Sequence, residues 1–293
     1  MNEKQNSQSM LTIVMVCSMI IWGISWSSNK VLTSFGTPVD LGVFRYGFVV
    51  VSLLLLLIPL KTKLIISRNG IPFLLIAGVL MATYNYTFLA GLKNGSPGAG
   101  GILVTTLNPV MAYGLGMLID WKKPTKNEFI GLFFGIIAGL TLLKVWGNED
   151  IFAKPENLYF LLSAFIWSVM SKFTSKSAKY GSPFAFTWWM YLVTLACLIP
   201  FCSFTEIGKM IQTTDIHFWG NVLFSSVITV TLATTTYFFA TSKIGAEKAS
   251  SFIFIVPFSA AVFSFSILGE NLEIHTIIGG LLGIGAVYMI NKK

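Results

Sequence analysis

Charge is scarce in this chain. Its 293 residues include 12 acidic and 20 basic side chains, 11% in all, where a soluble domain carries about 25%. That shortage excludes an ordinary water-facing globular surface. Polar connections are short as well, the longest about a dozen residues, which leaves no room for a soluble catalytic or nucleic-acid-binding domain. Histidine occurs twice, and His217 and His275 both fall at the ends of apolar stretches. With no HExxH, no GxSxG and no Cys/His cluster, the sequence offers neither a nucleophile set nor a metal set. No enzyme activity, cofactor or metal is therefore expected, and nucleic acid is not an expected partner. Cys17, Cys197 and Cys202 lie inside apolar stretches without ligand spacing and read as packing residues.

Apolar length is what the chain has in abundance. It is 54% hydrophobic, with a mean hydropathy of +0.74. Its apolar residues gather into ten stretches of roughly 20 residues, the length a helix needs to cross hydrocarbon. Their bounds are roughly 10 to 29, 40 to 60, 71 to 91, 97 to 118, 128 to 146, 157 to 175, 184 to 203, 217 to 240, 247 to 268 and 274 to 290. The expected fold is an all-α membrane protein with ten transmembrane helices. The first stretch runs into IIWGISWSSNK without a small-residue cleavage site and is expected to stay in the mature protein.

Basic residues alternate between the two sides of this arrangement. Fourteen Lys and Arg fall on the side of the N-terminus and five on the other, with Arg45 inside a span. Basic loops are retained in the cytoplasm. Both termini are therefore expected to be cytoplasmic.

The chain also repeats itself. Trp22 followed by Gly36-Thr37-Pro38 matches Trp167 followed by Gly181-Ser182-Pro183, at a constant offset of 145 residues. Pro109 corresponds to Pro257, and Asp120 to Glu270. Each copy holds five spans, 1–146 and 155–291, and since five is odd the second copy enters from the opposite face. Two inverted repeats can exchange conformations to expose a central site to each side in turn.

These residues resemble the drug/metabolite transporter superfamily, specifically its EamA-type, ten-helix members, over nearly the whole chain. The resemblance rests on Trp22-Gly23 followed by Lys30, on Pro38 and Arg45, and on Pro109, Asp120, Gly131 and Gly135 with their second-half counterparts Pro257, Glu270, Gly279 and Gly283. Asp120 stands where Glu is usual, and Met190 where the repeat would place a second arginine. The resemblance implies a carrier in the cytoplasmic (inner or plasma) membrane, frequently an exporter, for small metabolites such as amino acids.

Candidate substrate-binding residues are Trp22, Arg45, Tyr84, Asn85, Thr105, Trp167, Trp188 and Thr235. Trp22 and Trp167 match by symmetry well inside their spans, and hydroxyl-rich stretches occupy corresponding places in spans three and eight. Such a wall suits apolar or amphipathic solutes. Arg45 lies about 7 Å into its helix at 1.5 Å per residue, where it could snorkel to the outer surface, brace neighbouring helices or touch substrate. Gly131 and Gly135, like Gly279 and Gly283, have GxxxG spacing, read as close helix packing that either joins two copies into a homodimer or closes one. No carboxylate falls inside a span, since Asp40, Glu247 and Glu270 are boundary residues. A facilitator is favoured over a carrier coupled at one of those mouths. The expected partners are lipid and a small-molecule metabolite; the alternative to a transporter is a binding-only sensor or scaffold on the same fold, and after it a membrane-embedded enzyme.

Overall fold

The computed structural model describes residues 3–147, 154–268 and 274–292. Prolines and small hydroxyl residues set where the spans begin. Helix α1 is Glu3–Leu32, and α2, Pro38–Leu57, starts with proline at its first position behind a Thr37 cap that accepts from the Asp40 amide. The same device opens α4, Pro97–Ile119, whose Ser96 cap accepts from Ala99 N. Proline lacks an amide hydrogen that the first turn would leave unpaired anyway, so these junctions stop one helix and start the next at little cost. Between them, α3 covers Ile71–Asn94, and α5, Lys126–Leu142, begins with a reciprocal capping box of Thr125 and Glu128.

The second half begins with α6, Pro155–Ser175, and α7, Pro183–Leu198. Next comes a short amphipathic helix that the hydropathy pattern leaves as a loop, α8, Phe204–Gln212. The eighth span is continuous but not uniform: α9, Ile216–Leu223, leads into a π-helical stretch, Phe224–Thr234, and then α10, Thr235–Ile244. The ninth is built in three pieces, α11, Ala246–Ser251, a 3-10 turn over Phe252–Ile255, and α12, Val256–Leu268. Helix α13, Ile274–Asn291, completes the set. Among the described residues nine helices are individually long and apolar enough to cross a membrane, and the segmented ninth span supplies the tenth passage. The chain is thus an all-helical membrane protein of two five-span repeats.

The two glycine-rich helices, α5 and α13, pack on each other within the chain. A Cβ at Gly131 would come 2.6 Å from Ile290 and 2.9 Å from the Ala286 carbonyl, and one at Gly279 would meet Leu142 and the Ala138 carbonyl. These faces therefore close one molecule, and the GxxxG spacing is used up without a second copy. Of the cysteines, Cys197 packs against the hydrophobic core as expected, Cys202 is partly covered, and Cys17 departs from the packing expectation because it is exposed. Glu270, the expected counterpart of Asp120, lies outside the described residues.

Candidate functional site

Trp22 of α1 and Trp167 of α6, the first spans of the two repeats, meet edge to face with ring centroids 5.1 Å apart. Tyr84 of α3 packs on Trp167 at 4.7 Å, and Trp22 donates its indole hydrogen to Thr234 Oγ1 at 3.2 Å. Around these rings lies a cavity of about 640 Å³, open mouth included, walled by α1 to α4, α6, the π-helical stretch and Ile253. The π-helix matters here. Its wider turn lets Thr234 bond the carbonyl five residues earlier, at Thr229, and both residues line the cavity; such irregular turns recur at functional sites.

Of the eight residues singled out from the sequence, Trp22, Arg45, Tyr84, Asn85, Thr105 and Trp167 line this cavity. Trp188 and Thr235 do not. The Trp188 indole hydrogen goes to the Val50 carbonyl at 3.0 Å, making it a brace between α7 and α2. Thr235 is buried, with its hydroxyl on the Val230 carbonyl and near Tyr191 Oη. Polar or aromatic character at membrane depth does not say which face of the helix a side chain occupies. Trp26, Asn29 and Asn108 line the cavity too. Trp26 and Asn29 lie four and seven positions after Trp22, so the helical period of 3.6 places all three on one face of α1.

Arg45 is 4% exposed, so it does not snorkel to the outer surface. Its Nε donates to Ser225 Oγ at 3.0 Å and its Nη1 to Asn85 Oδ1 at 3.3 Å. Both partners are neutral. Several cavity-lining groups are buried without a hydrogen-bond partner in the protein: Asn29 Oδ1, Asn108 Oδ1 and Thr229 Oγ1. In each asparagine the amide nitrogen is already engaged, to the Ser25 carbonyl and the Ala164 carbonyl respectively, which leaves the oxygen as the spare atom. Unsatisfied buried polar atoms are costly unless water or a ligand meets them.

Toward the N-terminal side of the membrane, the structure holds a charged cluster whose members are far apart in the sequence. Lys172, near the end of α6, donates to Asp120 Oδ2 at 2.6 Å, just past α4, and to Glu247 at the start of α11. It therefore ties the first repeat to the second. Gly245, with φ 86°, makes the sharp turn between α10 and α11 that sets Glu247 there; a side chain would disfavour that left-handed backbone. The hydrogen bond from Lys172 is the chief cause that holds the Asp120 carboxyl below the usual carboxylate range. Glu247 also lines a second hollow on this face, together with Lys122, Lys123 and Lys248. Lys30, by contrast, bonds within the first repeat, donating to the carbonyls of Leu92 at 2.6 Å and Gly95 at 3.0 Å where α3 turns into α4.

Among the described residues no group of three His, Cys, Asp or Glu side chains is placed to hold a metal ion. The arrangement can enclose a small amphipathic molecule. It has no nucleophile and base in register to transform one.

Comparison with known proteins agrees with this picture. The model of the EamA-like transporter family matches twice, over residues 10–144 and 154–292. Among curated proteins, the uncharacterized transporter YyaM of Bacillus subtilis is 24% identical over 90% of this chain and 88% of its own length. YoaV of the same organism is 25% identical over 96% and 95%. A solved crystal structure superposes with a TM-score of 0.75 over 97% of this chain and 96% of its own, at 14% identity, a likeness of fold.

Proposed function

Because the chain belongs to the EamA-like transporter family, it is a multi-pass membrane transporter and not an enzyme, and we propose that it moves small organic metabolites by alternating access through the central cavity. The solutes are amino acids with apolar side chains or related compounds, carried outward across the cytoplasmic membrane with both chain ends inside. One observation carries this reading: symmetry-related Trp22 and Trp167 from opposed repeats touch at the centre of a single cavity. A site shared by two inverted halves, 1–146 and 155–291, can face either side as they rock.

The N-terminal face and the cavity wall support it. In the conformation described, the Lys172 cluster bolts the repeats together on the N-terminal face. A carrier must break such a tie once per cycle. No carboxylate lines the cavity, so the transporter runs as a facilitator, with solute moving down its own gradient.

The test is efflux of a panel of radiolabelled amino acids and related metabolites from proteoliposomes, with and without a pH gradient. Saturable flux that ignores the gradient and is lost in Trp22→Ala is the expected result. Flux that collapses when the gradient is removed would replace the facilitator by a coupled carrier. Saturable binding without flux would favour a sensor on the same fold.

A further inference from the structure

We propose that Arg45 is the carboxylate anchor of the central cavity, so that the transporter requires an acid group on its solute and treats an amino group as optional. This deepens the transport reading and rests on it.

The argument is one of charge balance. A guanidinium buried in a membrane helix bundle is expensive, and it is normally paired or facing a wet cavity. Arg45 has five N–H donors, and two neutral oxygens, Ser225 Oγ and Asn85 Oδ1, are its hydrogen-bond partners. The other ionisable side chains on the cavity wall are the phenols of Tyr46 and Tyr84, which are uncharged at neutral pH. Asp40, five positions earlier on α2, is committed elsewhere, to the Thr37 hydroxyl and the Ser203 amide. Asp120 and Glu247 are engaged with Lys172 on the N-terminal face. The cavity wall thus carries one fixed positive charge and, among its lining residues, no fixed negative one.

That asymmetry ranks solutes. A carboxylate supplies the missing counter-charge, and the planar fork of arginine suits its two oxygens. The aromatic rings of Trp22, Tyr84 and Trp167 receive an apolar body. For an amine the acceptors on the wall are neutral, among them the spare Oδ1 atoms of Asn29 and Asn108 and the Thr229 hydroxyl. These can satisfy N–H groups, yet they do not balance an ammonium left without its carboxylate, which would also be repelled by Arg45.

The experiment uses four compounds of one shape: phenylalanine, 3-phenylpropionate, phenylalaninamide and phenethylamine. Binding to the purified full-length protein is followed by tryptophan fluorescence, and flux is followed separately in proteoliposomes. The two carboxylates are expected to bind at least tenfold tighter than the amide and the amine, with phenylpropionate within a few-fold of phenylalanine. Arg45→Gln removes that preference, and Arg45→Lys keeps part of it. Asn85→Asp is the decisive variant, because it supplies an internal counter-ion while leaving Arg45 in place. It is expected to raise thermal stability and abolish carboxylate preference.

Equal binding of amide and acid by the parent protein would overturn the proposal, as would a carboxylate preference that survives in folded Arg45→Gln or Asn85→Asp. Binding of none of the four would also count against it. Carboxylate-selective binding without flux would leave the anchor standing and defeat the carrier reading, whereas flux without carboxylate preference would do the reverse.

Discussion

Replacing Lys172 by methionine should open the N-terminal face of the transporter. The lysine side chain is 8% exposed, Glu247 12% and Asp120 28%. Methionine keeps the apolar stem and removes the charge, leaving two carboxylates facing each other across the repeat boundary. Breaking a buried ion pair by deleting one partner costs about 3 to 5 kcal/mol. Water can reach part of Asp120, so the low end, about 3 kcal/mol, is the better figure. At 1.4 kcal/mol per decade this moves the balance between closed and open faces by about 100-fold. Ser171 is the place to read it, since it lies one residue from Lys172, is fully buried and bonds Tyr237 Oη at 3.0 Å. In a background with Cys17, Cys197 and Cys202 replaced, Ser171→Cys should react slowly with an impermeant thiol reagent applied from the N-terminal side. Adding Lys172→Met should raise that rate at least tenfold, and Lys172→Arg should restore it. A rate within twofold of the parent, in protein with an unchanged melting profile, would refute the idea that this cluster holds the face shut.

Other substitutions separate packing from passage. Gly131→Leu drives a side chain into Ile290 and the Ala286 carbonyl, an overpacking worth about 1 to 3 kcal/mol, and should lower the melting temperature in detergent, whereas Gly285→Ala meets open space and should leave it unchanged. Trp188→Phe loses the hydrogen bond to the Val50 carbonyl, about 1 kcal/mol of stability, with solute binding intact by fluorescence titration. Acidification should spare the fold until the carboxylates titrate. Asp120 has a folded value depressed chiefly by the hydrogen bond from Lys172. Its contribution is therefore present above the unfolded value of about 4 and lost as pH falls through the folded one. A melting series from pH 7 to pH 3 should fall steeply only at its acid end, and Asp120→Asn should flatten that fall.

The sequence by itself determined the architecture. Scarce charge and runs of roughly 20 apolar residues force helices across a bilayer, because backbone polar groups there must be satisfied within the helix. Five spans per repeat leave the second copy no choice but to enter inverted. Even the central pair was legible, since Trp22 and Trp167 sit at one offset in both copies. Facing and partnership were not. A hydroxyl or ring at membrane depth looks alike in sequence whether it faces the cavity, as Thr105 does, or a neighbouring helix, as Trp188 does toward Val50 and Thr235 toward Tyr191. The π-helical turn that puts Thr229 and Thr234 on the wall is not marked by the hydropathy pattern, which reads the eighth span as one apolar stretch. Lys172 read as a loop charge, and only the approach of α4 and α11 from different repeats gave it Asp120 and Glu247 as partners. Arg45 looked free to reach the outer surface from its depth along α2. The tertiary structure alone directs it inward, onto Ser225 and Asn85, because its helix face is covered by α3 and the π-helical stretch.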